Sequence, residues 1–161
     1  MADDIALLVA IAEIAGVFVG FGALISVTRG SQIEASLLSQ IRAVVTIGLV
    51  VIVAALIPAG LSRYGLAGHD LWLPCSVIFL VLIWLVTLIS LRRSENKAIL
   101  VTRAQTNPAM LIAFWLLLEL PMQIPLVLTV LGLYPDLAPA FYITALVLNL
   151  FEAAFVLAQL V

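Results

Sequence analysis

Charge is what this chain has least of. Asp, Glu, Lys and Arg make up only 10% of its 161 residues, and 65% are hydrophobic, whereas soluble domains carry about 25% charged residues. With a mean hydropathy of +1.31, a soluble fold is excluded. The other shortages narrow the chemistry. A single cysteine, Cys75, allows no internal disulfide, and its place after Trp72-Leu73-Pro74 reads as a small core residue. The single histidine, His69, stands beside Asp70 with no further ligand nearby, so the pair reads as a solvated turn with helix capping and no metal is expected. No lysine lies inside an apolar run, which removes a retinal Schiff base. Paired aspartates, a histidine cluster, a nucleophile with its base and a phosphate loop are all missing, so neither an enzyme nor a bound cofactor is expected. The start, Met1-Ala-Asp-Asp, is acidic where a secretory signal is basic, and the run behind it is too long for such a signal, so the first segment should persist. The net charge of −2 is small, and nothing points to nucleic acid.

What is present is apolar sequence in five runs, which predicts an all-α membrane bundle forming a single domain. The expected spans are 5–27, 41–61 with a helix start near 31, 73–91, 109–133 and 140–160. In the first, Ala12, Gly16 and Gly20 recur at four-residue spacing, a stripe that lets another backbone approach. Glu13 sits at the edge of that stripe, where close packing would bury it between helices. Ser31 and Glu34 form a capping box for the second helix, and Pro58 comes near its far end, where a kink should disturb little. The third span, opening with Pro74 in its first turn, has few polar groups and reads as the lipid-facing helix. Gly132 to Pro139 reads as a tight turn.

Basic residues set the threading. Arg29, Arg42, Arg92, Arg93, Lys97 and Arg103 collect on one side, leaving Arg63 on the other. By the positive-inside rule the N-terminus is outside and the C-terminus cytoplasmic. The compact loops fit a bacterial inner membrane. Tyr64, Tyr134, Tyr142 and Trp72 then fall at the outer interface, as an aromatic belt would have them. Arg92, Arg93, Lys97 and Arg103 are placed to meet anionic headgroups, each worth about 1 kcal/mol.

The fourth span carries the unusual chemistry, Trp-Leu-Leu-Leu-Glu-Leu-Pro-Met-Gln-Ile-Pro from Trp115 to Pro125. The run 109–133 is about 37 Å long as helix, against about 30 Å of hydrocarbon, so Glu119 falls near mid-depth. A charge there costs roughly 2.5 to 3.5 kcal/mol, which makes an intramembrane Glu a candidate site. Glu152 falls at the same level and Glu13 slightly outward, with Gln123 and Asn149 between them. No Lys, Arg or His shares that slab. Pro121 and Pro125 cannot donate to the carbonyls four residues back, so the helix should kink there. These residues predict a polar crevice lined by helices 1, 4 and 5. It supports two readings: a proton or cation pathway in an oligomeric channel or transporter subunit, or hydrogen-bonding glue in a scaffold or regulatory subunit of a larger complex.

The threading is directly testable. In a Cys75-free background, a membrane-impermeant maleimide added from outside should label Gly68→Cys and spare Glu95→Cys, and the opposite pattern would invert the topology.

Overall fold

The computed structural model describes residues 2–29, 35–92, 108, 109, 112 and 115–158. It is an all-α bundle without strands among those residues. α1 spans Ala2–Arg29, with Asp3 and Asp4 favourably placed in its first turn. α2 spans Ala35–Ser62, α3 His69–Arg92, α4 Leu120–Val130 and α5 Ala138–Ala158. α1, α2, α3 and α5 are each long and apolar enough to cross a membrane. α4 is preceded by a π-helical turn, Trp115–Glu119, and its apolar stretch Leu116–Val130 is the described part of the fifth expected span. Arg93, Lys97 and Arg103 and the capping box at Ser31 and Glu34 lie outside the described residues; Arg92 is exposed at the end of α3.

α5 is the axis of the bundle, since it packs against each of the other four helices. α2 is the most enclosed of the long helices and α3 the least, which agrees with the lipid-facing character expected of α3. One core runs through the bundle from Leu8 and Ala15 on α1, through Val51 and Ala54 on α2 and Phe79 on α3, to Leu126 on α4 and Leu146 on α5.

Small residues bring α1 and α2 together, but at a different register from the one expected. A Cβ added at Gly48 would stand 2.6 Å from Val19 Cγ2 and 3.4 Å from the Ala15 carbonyl oxygen; one added at Gly22 would stand 2.9 Å from Val45 Cγ2. Ala15 and Gly22 lie seven residues apart, as do Ile41, Gly48 and Ala55, so each set forms one stripe. At Gly16 and Gly20, by contrast, an added Cβ meets nothing within 4 Å. Of the Ala12, Gly16, Gly20 stripe only Ala12 is buried, and Glu13 is exposed instead of enclosed between helices. Helix 1 offers two small-residue stripes about 100° apart, and the chain uses the one that Gly48 completes.

The second expected turn is shorter than the sequence implied. α3 begins at His69, not near Leu73, because Gly68 takes a left-handed φ of +57° and its carbonyl accepts from the N–H groups of Leu71 and Trp72. Pro74 therefore lies inside the helix. The α4 to α5 turn forms as expected. Gly132, at φ +69°, closes a Schellman motif in which Leu133 N–H donates to Leu128 O at 3.0 Å and Gly132 N–H to Thr129 O at 3.1 Å. A single 3-10 turn, Pro135–Leu137, then leads into α5.

Two residues expected in the aromatic belt belong to the core. Tyr142 is 0% exposed and Trp72 only 5%, with their ring centroids 5.4 Å apart. Tyr64 and Tyr134 are exposed, as a belt requires. Pro58 explains the burial of Tyr142. Lacking an N–H, it leaves the Ala54 carbonyl without its helical donor, and the Tyr142 hydroxyl donates to that oxygen at 2.6 Å.

The glycine assignments predict opposite outcomes for two similar substitutions. Gly48→Leu should destabilise the detergent-solubilised protein by about 1 to 3 kcal/mol, the range for overpacking, whereas Gly20→Leu should leave monomer stability nearly unchanged. Thermal unfolding distinguishes them, and an unaffected Gly48→Leu protein would mean that α1 and α2 pack in another register.

Candidate functional site

The polar residues of the fourth and fifth helices are brought together by the hairpin that joins them. A tight turn makes α4 and α5 antiparallel neighbours, and the buried Asn149 on α5 donates through Nδ2 to Met122 Sδ on α4 at 3.0 Å. That contact fixes the register. Three residues further along α5 and three residues back along the fourth helix bring Glu152 to the level of Glu119, whose charge reaches it. Gln123, one turn beyond Glu119, donates through Nε2 to Glu119 Oε2 at 3.2 Å. Both acids are half-buried. Counted back from the end of α4, Glu119 is about 16 Å into the bundle, so the pair stands near mid-depth.

The prolines shape the backbone here, and beside them the helix widens. Pro121 has no N–H for the Leu117 carbonyl, and the chain answers with a wider π-helical turn over Trp115–Glu119. Glu119 is the last residue of that turn, so the site carboxylate sits where regular α-helix resumes. One turn after Pro125, the Thr129 hydroxyl donates to the Pro125 carbonyl at 3.1 Å. Thr129 is thereby fully buried without an orphan donor.

The crevice expected from three helices is thus built from two. Glu119, Gln123, Asn149 and Glu152 meet at the α4 and α5 seam, while Glu13 stays on the exposed side of α1, which packs on α2 and α5. On its other flank the seam borders an open groove of about 540 Å³ between α3 and α4, lined by Leu80, Trp84, Leu88 and Val127, with Gln123 as its polar member. A second concavity, of about 470 Å³, lies at the far end of α2 beside Ile5, Arg63 and Leu66. Among the described residues no group of His, Cys, Asp and Glu could hold a metal ion.

One polar group of the interior, Ser76, was not singled out from the sequence. Ser76 and Asn149 are buried, and Ser76 Oγ, Asn149 Oδ1 and His69 Nδ1 have no hydrogen-bond partner among the described residues. His69 is correspondingly part of the helix and partly buried, not a solvated turn. A signal was available for Ser76, which falls one turn from Trp72 and so on the same face. For Asn149 and Met122 no sequence signal distinguishes this pairing from any other. Cys75 is fully buried, as a core residue should be. Comparison with protein-family models, with curated proteins and with solved structures finds no match to this chain, so the reading of its site rests on the geometry above.

Proposed function

We propose that the chain is a small membrane transport subunit that moves protons or monovalent cations through the α4 and α5 seam, working as a homo-oligomer. The observation that carries the reading is the pair Glu119 and Glu152, two half-buried carboxylates at mid-depth in a slab without Lys, Arg or His. Two acids that share one low-dielectric region cannot both ionise independently and titrate as a pair, which suits taking up and releasing one cation or proton. The π-helical turn and Pro121 leave the backbone beside Glu119 outside the regular hydrogen-bond ladder, and broken helices at mid-depth are the usual place for ion sites in transporters. Gln123 orients Glu119, and Asn149 adds an oxygen to the same seam.

In this reading the N-terminus is outside and the C-terminus cytoplasmic in a bacterial cell membrane, with Arg92, Arg93, Lys97 and Arg103 against anionic headgroups. The oligomer follows from size, since five thin helices enclose no wide pore. One observation favours the second reading, a scaffold or regulatory subunit of a larger complex. Among the described residues nothing packs closely on Gly16 and Gly20, and Glu13 beside them is exposed, so a foreign helix there would be a structural partner. Purification separates the two, because a stable homo-oligomer supports transport and an obligate foreign subunit supports the scaffold.

Glu119→Gln keeps shape and hydrogen bonding and removes ionisation. The substituted protein should fold, assemble and lose proton- or cation-dependent flux in liposomes to the level of empty vesicles. Wild-type flux from a correctly assembled Glu119→Gln protein would leave Glu119 with only a hydrogen-bonding role.

A further inference from the structure

Among the described residues three buried polar atoms lack a hydrogen-bond partner, and their positions form a sequence in depth. Leaving such an atom unpaired costs about 1 to 3 kcal/mol, and so each one requires a physical explanation. His69 Nδ1 is at the start of α3, Ser76 Oγ is seven residues further on, and Asn149 Oδ1 is at the seam with Glu119 and Glu152.

The faces of the helices agree with this order. Seven residues bring Ser76 to within about 20° of His69 around α3 and about 10 Å deeper. His69 lies against the C-terminal end of α4, its Nε2 3.9 Å from where a Cβ on Gly132 would stand. Ser76 lies about 40° from Trp72 and about 60° from Phe79 around α3, and both of those rings contact Tyr142 of α5. From Tyr142, Asn149 is seven residues further along the same face of α5, and Glu152 follows one turn later. The atoms therefore descend from the end of the bundle that carries residues 63–68 to the acid pair.

We propose that these atoms line a narrow hydrated path between α3, α4 and α5, along which protons reach Glu119 and Glu152 from the side of the 63–68 loop. The proposal rests on the reading of the pair as an ion site and narrows its ion to the proton. An imidazole, a hydroxyl and an amide oxygen spaced along the path offer one oxygen or nitrogen per level, too few to replace the hydration shell of a sodium or potassium ion. They do suffice to anchor waters, each of which accepts one proton and passes one on. The net event is the movement of one proton, and every group ends as it began.

Silver ion, about the size of the ions and waters concerned, is the probe. In a Cys75→Ala background, Ag⁺ added on the side of the 63–68 loop should consume the thiol of Ser76→Cys at least about tenfold faster than that of Val77→Cys, because a thiolate forms only where water reaches the sulfur. Val77 is the control because it is adjacent in sequence and on the exposed face of α3. A Ser76→Cys thiol as inert as the control overturns the path whatever Glu119→Gln does. Ser76→Ala, which loses no hydrogen bond and so should fold, is the second arm, with proton flux expected to fall about tenfold. Undiminished flux through Ser76→Ala, in a protein that Glu119→Gln silences, also overturns the path while leaving the acid site standing. If Ag⁺ reaches Ser76→Cys but Glu119→Gln does not alter flux, the hydrated passage stands and the acid pair is removed as its terminus.

Discussion

The hydrogen bond from Tyr142 to the Ala54 carbonyl is the constraint on which the rest of the bundle depends. Pro58 creates the need for it by removing the donor that would close the last turns of α2. Ala54 is fully buried on the α2 side of the core, so leaving its carbonyl unpaired there is costly. Tyr142 answers from α5 at 2.6 Å. Its ring also packs against Trp72 and Phe79 of α3, at centroid distances of 5.4 and 5.7 Å. One side chain thereby fixes α5 against α2 and α3 together. Apolar packing alone would do this poorly, because lipid tails are as apolar as the helices and leave little preference for one neighbour over another.

With the N-terminal half of α5 fixed, the acids are placed by geometry. The Schellman turn at Gly132 and the short 3-10 turn give the α4 and α5 hairpin a single connection. Asn149 donating to Met122 sets its register, and Glu152 comes to the level of Glu119 as a result. The order of effects runs from a proline on α2 to a carboxylate pair on α4 and α5, through contacts that are each local. Glu119 is held in the apolar interior by the hydrogen bond that Gln123 donates to it.

The spans, the hairpin turn and the polar level of the fourth and fifth helices were legible in the sequence, because hydropathy, glycine at a helix end and a Glu in an apolar run are signals read from one segment at a time. The choices between segments were not. Helix 1 carries two stripes of small residues, and only the position of Gly48 on another helix selects Ala15 and Gly22 over Gly16 and Gly20. A tyrosine near a membrane interface looks the same whether it faces lipid or a broken helix, and Pro58 had to be placed beside Tyr142 before its freed carbonyl acquired meaning. Glu13 had the right depth for the site and the wrong azimuth, a distinction that depth counting cannot make. The π-helical turn before Pro121 was foreshadowed by the proline, whose missing donor disturbs the helix, but its exact form was not.

The dependence of the fold on Pro58 and Tyr142 as one unit is measured most directly by a double-mutant cycle on unfolding in detergent. In the native background Tyr142→Phe should cost about 1 to 3 kcal/mol, since it strands a buried acceptor. In a Pro58→Ala background the Ala54 carbonyl regains its helical donor, and the same Tyr142→Phe change should become nearly neutral. An equal cost in both backgrounds would contradict the account, because it would mean that Tyr142 holds the bundle by packing alone and that the proline has no part in placing it.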